Sequence, residues 1–474
     1  MGVVQLPERV AVVNIGLERF ETAIRDQGAP AVGVDWRIPA GGDAEAVAAL
    51  ARLLGPVADR IDAANAEVVD RLDRGVPMLV GVETAAVAIE GFEPPAILHC
   101  GPPVGWAEMC DPLRRSVRAA VVAEGWAPDR DAADTLLRTG EVRLEAANEH
   151  DTVVPMASAI GPSAPVYVVS VDAGGTTAYS SLNQGSGAVP WFGVDSTAAI
   201  ERLGFLRDAL GPALAEALDR AGPIDVFSLA AQGVTMGDDV HMRVQATTNL
   251  LLRDLLPHLI RAGTDRIGEV ADFLSTNHLM FLNIAMAGAR ALTEWAGQVP
   301  GSSIVTSMAR NGTTYGIRLA GCAGTWHIAE SPPVQDALYY PGQGPETSAP
   351  DIGDSAVLEL VGLGGAAAAN SPAVAGFLGG RMADAAAVTA AMSRICAGTS
   401  SRLRLPVLDN AGTPLGVDVR RVVETGITPA VNTGIVHASD GSGQVGAGVA
   451  HAPIECFRQA LLDLDRRLSI PGCR

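Results

Sequence analysis

Val10-Ala11-Val12-Val13-Asn14-Ile15-Gly16 is an apolar, β-branched run closed by glycine, the pattern of a strand that turns directly into a helix. Residues 17–27 then carry helical spacing, and Ala31 to Trp36 is a second short apolar run. The alternation continues with helical spacing over 44–74 and strand-like runs at Met78 to Val82 and Ala96 to Cys100. Repeated βα units of this kind predict an α/β fold opening with a Rossmann-like parallel sheet, helices on both faces. The turn at Asn14-Ile15-Gly16 lacks the glycine-rich dinucleotide fingerprint, so no dinucleotide cofactor is expected there.

Beyond residue 100 the pattern is helical to about Gly140, strand-like over 150–183, and mostly helical over 196–300. Residues 303–320 read as two strands joined at Arg310-Asn311-Gly312, where Asn-Gly is a hairpin signal. An Ala/Gly-rich helical stretch covers 355–397, and a last helix starts near Pro453. Boundaries near 150 and 300 divide the chain into a Rossmann-like domain at 1–150, an α+β region with a helical insert at 151–300, and a C-terminal α+β domain at 301–474.

Composition removes whole classes of chemistry. The 474 residues carry a net charge of −19, and no basic stripe is visible, so nucleic acid is not an expected partner. All 34 basic residues are arginine. Lysine Schiff-base chemistry, the pyridoxal-phosphate lysine and the P-loop lysine are therefore excluded. Any anionic substrate must be held by arginine, histidine, backbone amides or a metal, and on an acidic chain that requires a local arginine-lined pocket. The six cysteines form no CxxC pair, which fits a reducing cytoplasm. No secretory leader is expected from the opening residues. The most apolar stretch, Ser355 to Gly380, is interrupted by Glu359, Asn370 and Pro372, so no membrane span is expected.

Several polar groups in Gly- or Pro-rich settings are candidate site residues. Arg37 follows a strand end, where ligands bind in open α/β sheets, and Asp43 beyond it would serve equally as a helix cap. His99 ends another strand as a proton donor or as a satisfied structural histidine. His150 lies in Asn148-Glu149-His150-Asp151, Asn183 follows a strand, and His241 closes Gly237-Asp238-Asp239-Val240-His241. Asn277, His278 and Asn283 are polar positions on one apolar helix, binding a ligand or each other. Arg310, with Asn311 and Gly312, is either an anion fork or a solvated hairpin tip. Asp354, in Asp351-Ile352-Gly353-Asp354, would bind a metal, orient an arginine or cap a helix. Asp418 and Asn432 fall on a charged, Gly-punctuated, β-like path. No His/Cys partner has metal-ligand spacing, so no metal is expected.

Five stretches together resemble one family: VDWRIPAGGD (34–43), LHCGPPVGWAEMCDPLR (98–114), MARNG with YGIR (308–318), PDIGDSAVLELVGLGG (350–365) and GVDVRRVVETGITPAVNTGIVHASDGSGQVGAG (416–448). It is the YlbE-like family, associated with the AllG-type subunit of oxamate carbamoyltransferase. The resemblance implies α+β domains and a helical insert behind the Rossmann-like one. It also implies a multi-subunit assembly with an FdrA-like partner, itself similar to succinyl-CoA ligase subunits. The implied reaction is carbamoyl transfer between carbamoyl phosphate and an amide or amine such as oxamate, in purine catabolism. The chain departs from the family pattern at 183–187, 237–242, 276–280 and around Trp326-His327, which leaves the acceptor open. From residue chemistry, His99 or His150 would move the proton, Asp354 and Asp418 would orient Arg or His, and Arg310 would hold phosphate or carboxylate. Arg37, Asn183, His241, Asn277, Asn311, Gly312 and Asn432 would contact substrate. A homo-oligomer is expected. The alternatives are a non-catalytic assembly subunit of an acyl-CoA-ligase-like complex and a metal-dependent amidohydrolase.

Overall fold

The helix Met280–Gly297 organises the interior, because nearly every position from Met280 to Leu292 is buried whichever way it faces. Its small residues Ala285, Ala287, Gly288, Ala289 and Ala291 let neighbouring backbone come close. A Cβ on Gly288 would already sit 3.3 Å from Pro77 and Val226. Its large residues Phe281, Ile284 and Leu292 are fully buried, each contributing ~1.5–3 kcal/mol of transfer free energy. The fold is a computed structural model, which describes residues 10–34, 38–322 and 324–469.

One face of this helix packs on a five-stranded sheet in the order Ile224–Asp225, Met78–Thr84, Pro165–Val171, Thr176–Ser181, Thr152–Val153. Every pairing in it is antiparallel except that of the last two strands. A four-stranded antiparallel sheet, His327–Glu330, Thr314–Leu319, Val305–Asn311, Ile352–Gly353, lies further along the chain. The expected hairpin is present, with Met308 opposite Ile317 and Arg310 opposite Tyr315. A three-stranded antiparallel sheet uses Asp336–Tyr339, Gln444–His451 and Ala430–Val436. Caps punctuate the helices as the local sequence suggests: Asp43 accepts from the Ala46 amide, Asp225 from Ser228 and Ser371 from Val374. One hydrophobic cluster runs from Ala46 to Leu464 and joins these layers.

The molecule is mixed α/β, but the first hundred residues do not make one parallel sheet. Val12–Ile15 and Ala31–Val34 form a separate two-stranded parallel pair. Met78–Thr84 instead pairs antiparallel with Pro165–Val171. Ala96–His99 joins Arg143–Ala146 in parallel and Ala159–Ile160 antiparallel. Local patterning found these strands, whereas their partners lie as far as 147 residues away, as for Met78 and Asp225, beyond the reach of periodicity. Two smaller corrections follow from caps. Residues 419–425 are helical, started by Asp418 accepting from the Arg420 amide and stopped at Gly426 in a left-handed conformation. Asn277 closes the helix Ile267–Thr276, while Asn283 belongs to the next helix.

Candidate functional site

The hairpin turn is built by its own side chain. Asn311 Oδ1 accepts from the amides of Thr313 (3.0 Å) and Thr314 (2.7 Å), and Gly312 takes φ +80°. Its Nδ2 donates to the Pro102 carbonyl at 2.9 Å. Arg310 is fully buried, and its fork is filled: Nε donates to Asp351 Oδ2 at 2.8 Å and Nη2 to Oδ1 at 3.0 Å. Nη1 donates to the Gly353 carbonyl at 2.5 Å, and Thr433 Oγ1 donates to Asp351 at 2.9 Å. Burial opposes the guanidinium charge, yet Asp351 more than restores it, so Arg310 stays ionised. A substrate anion would have to displace Asp351 to use this edge.

Next to it, Asp354 accepts from the amides of Gly101 (2.7 Å) and Val154 (3.0 Å). Burial outweighs these two donors and pushes its carboxyl up to about 7. The approach is tight: a Cβ on Gly101 would lie 2.5 Å from the Asn311 amide nitrogen. His99 is wholly buried, with Nδ1 donating to the Cys100 carbonyl at 2.8 Å. Burial lowers it to about 4, so its imidazole is neutral. His150 stands apart, paired with Glu145 at 2.7 Å. Asp418 also lies elsewhere, holding Ser303 (2.7 Å), Asn65 (3.2 Å) and Arg420 (2.9 Å). Arg37 lies outside the described residues.

A second polar group is centred on the segment 237–242. His241 Nδ1 donates to Glu359 Oε1 at 2.8 Å, both groups buried. The same oxygen accepts from the amides of Gly365 (3.2 Å) and Asn432 (3.3 Å). Asp239 accepts from the Arg243 amide (2.7 Å) and from Asn432 Nδ2 (2.5 Å), and burial raises its carboxyl above the usual range. Among the described residues, Glu359 Oε2 and Asn432 Oδ1 are buried without a hydrogen-bond partner. Between Asp239 and His241, Val240 holds φ +59°, a strained backbone for a β-branched residue.

His241 lines a small cavity of about 50 Å³ with Met156, Trp191, Phe192, Ser355 and Gly434. A cleft of about 780 Å³ shares Phe192, Met242, Leu279 and Gln444 with it and opens outward. Asn183 shapes this wall through the Leu279 carbonyl (3.0 Å) and Asn283 (2.9 Å), and Gln184 Oε1 accepts from the Trp191 amide at 2.8 Å. Asn277 reaches the Asn183 carbonyl at 3.5 Å. The residues lining these two compartments include no arginine; arginines line other cavities of the molecule, Arg290 and Arg318 in one and Arg420 and Arg421 in another. Glu359 was not among the candidates, although a lone charge inside the apolar run 355–380 is a signal in its own right, because a buried carboxylate needs a partner.

A cavity walled by aromatic and apolar side chains, with a few convergent polar groups, is the usual form of a small-molecule site. The model of the oxamate carbamoyltransferase subunit AllG family matches residues 142–355, a span that includes Asn183, His241 and Ser355. The chain is 40% identical over 412 residues to the Escherichia coli (strain K12) protein named oxamate carbamoyltransferase subunit AllG, covering 86% of this chain and 98% of that one. It is 34% identical over 462 residues to the uncharacterized protein YahG of the same organism, covering 97% and 98%. A crystal structure of a conserved protein of unknown function from Enterococcus faecalis V583 matches with TM-score 0.84 and 34% identity, over 86% of this chain and 98% of that one. This chain belongs to the AllG family. Among the described residues, no helix is long and apolar enough to cross a membrane.

Proposed function

We propose that the chain is a subunit of a cytoplasmic carbamoyltransferase and that the cavity beside His241 receives the amide-bearing end of its substrates. The observation that carries this reading is the buried His241–Glu359 pair at the cavity wall. With Nδ1–H committed to the carboxylate, Nε2 is left as the proton acceptor, and Glu359 stabilises the imidazolium that forms. The amide nitrogen of oxamate attacks the carbonyl carbon of carbamoyl phosphate, its proton passes to Nε2, and the carbon–oxygen bond to phosphate breaks. The reverse direction consumes oxalurate and phosphate. The unpartnered oxygens of Glu359 and Asn432 suit a ligand rich in N–H donors, as amide and carbamoyl groups are.

The compartments carry no guanidinium to balance phosphate. On this reading the phosphate end is held outside these two compartments, and the FdrA-like partner that the family resemblance implies is the candidate to hold it. Phosphate release from carbamoyl phosphate with oxamate, for the chain alone and with its co-purifying partner, tests this. Turnover by the assembly, a carbamoylated product by mass spectrometry, and its loss in His241→Gln are expected. Full turnover in His241→Gln would remove the histidine from the chemistry.

A further inference from the structure

Away from that cavity, three chain segments bring a thiol, an imidazole and a carboxylate together. Cys322 ends the short turn Ala320–Cys322, directly after the hairpin strand Thr314–Leu319. His327 opens the strand His327–Glu330. Asp463 comes from the final helix, Ile454–Ser469, which packs on both strands and on the turn. One donor atom from each residue lies within 4.8 Å of the other two. His327 Nε2 is 3.8 Å from Asp463 Oδ2.

Two observations set this group apart from an incidental cluster. His327 is 5% exposed, and its Nε2 is buried without a hydrogen-bond partner among the described residues. The carboxylate is also already oriented, since Arg467 Nε donates to Asp463 Oδ2 at 2.9 Å and Arg467 Nη2 to Thr325 Oγ1, again at 2.9 Å. Supporting contacts of this kind fix the ligands of metal sites.

We propose that Cys322, His327 and Asp463 bind a divalent transition-metal ion, zinc by the character of the donors. Thiolate, imidazole and carboxylate together suit zinc, with bonds of ~2.0–2.3 Å, so the donors need only a small contraction. Three protein ligands leave the fourth tetrahedral position to water. The ion takes the cysteine as thiolate, releasing its proton to solvent, and gives the orphaned imidazole nitrogen its partner.

The clamp has a structural consequence. It ties the segment between Cys322 and His327 to the final helix. That segment carries Trp326, whose ring lies 4.1 Å from the Arg318 guanidinium and whose Nε1 donates to Glu149 at 2.8 Å. Arg318 and Glu149, with Arg290 and Asp151, line a polar cavity of about 250 Å³. The ion would hold one wall of that cavity in place.

The test uses the full chain, free of any tag and stripped with a chelator, titrated with Co²⁺. Expected is a thiolate-to-cobalt charge-transfer band saturating at one equivalent and displaced by Zn²⁺. The band is lost in Cys322→Ser and kept in the control Cys396→Ser. His327→Asn should weaken Co²⁺ binding by at least ~10-fold. In wild-type protein, Zn²⁺ should slow alkylation of Cys322 relative to the other cysteines, read by peptide mass spectrometry, an arm that needs no variant to fold. A wild-type chain without the band, or zinc protection falling on cysteines other than Cys322, would overturn the site.

Discussion

Arg310 with Asp351 and His241 with Glu359 are two buried couples, each a nitrogen base bonded to a carboxylate, that differ in what surrounds them. Each joins residues far apart in sequence, and each lies in the interior. Around Arg310 the side chains are spent: Asp351, the Gly353 carbonyl and, at 3.4 Å, Thr433 Oγ1 take its donors, and Asn311 and Asp354 accept from backbone amides. Around His241, Glu359 Oε2 and Asn432 Oδ1 are left over. An unsatisfied buried polar atom costs ~1–3 kcal/mol. A saturated network is what a fold needs to hold crossing segments. An unsaturated one beside a cavity carries a cost that a ligand can relieve. Burial and charge are common to the two couples; unspent hydrogen-bonding capacity on Glu359 and Asn432 is what separates them.

The largest effect that could break this contrast is on stability. Arg310→Ala should lower the unfolding free energy by ~3–5 kcal/mol in denaturant titration, because it strands a buried Asp351. Replacing both partners, Arg310→Met with Asp351→Leu, should recover much of that loss. If Arg310→Ala instead kept its stability and lost only substrate affinity, the saturated network would be a binding site after all.

The second expected effect is a pair of opposing pH slopes. Asp354, raised to about 7 from 3.8, holds a proton in the folded state that the unfolded chain has released. Its contribution is therefore present at low pH and lost as pH rises from about 4 to about 7. His99, lowered to about 4 from 6.5, does the opposite, and its contribution is lost as pH falls through that window. In wild-type protein the two largely offset. Relative to wild type, His99→Asn should lose stability as pH rises from about 4 to 6.5, and Asp354→Asn should gain it. At ~1.4 kcal/mol per tenfold change in proton affinity, each slope amounts to ~3–4 kcal/mol. Parallel stability–pH curves for the three proteins would refute the opposition.

A third, kinetic effect sharpens the other side. Glu359→Gln in the assembled enzyme should cut turnover ~100-fold through loss of the carboxylate behind His241, with its KM for oxamate changing far less. A change confined to KM would make the pair a binding element and not a proton-transfer device. The smallest effect calibrates the scale: Glu216 and Arg220 pair at 2.6 Å on an exposed helix face. Arg220→Ala should cost under ~0.5 kcal/mol, and a loss as large as that of Arg310→Ala would show that burial is not what separates them.

Locally encoded features were legible in the sequence. The Asn311-Gly312 hairpin, the Asp43 cap and the helical stretch from 196 to 300 each depend on residues within a turn or two. The strand partners of Met78–Thr84 and Ala96–His99 were not, because pairing is decided by distant segments. Arg310 shows the limit most clearly. Its neighbours suggest a hairpin tip or an anion fork, yet its partner stands 41 residues on. The helix at 419–425 had local signals, an Asp cap and a Gly stop, but its valines read as strand. His241 lines the cavity, and that Glu359 bonds to it and to the Asn432 amide, while Asn183 bonds to the wall residue Leu279, is a property of the tertiary path.

That path also has a meaning for synthesis. The polar group beside the cavity takes Asp239 with His241, Glu359 and Asn432 from three distant stations along the chain. A ribosome that has delivered Glu359 has made the acid–base pair, but the strand bringing Asn432 and Gly434 is still inside the exit tunnel or not yet translated. Until it docks, Asp239 and Glu359 lack the amide groups that Asn432 donates to them. The pocket is thus finished only once residues 430–436 have followed, and a fragment released before them would carry His241 without the surroundings that hold it.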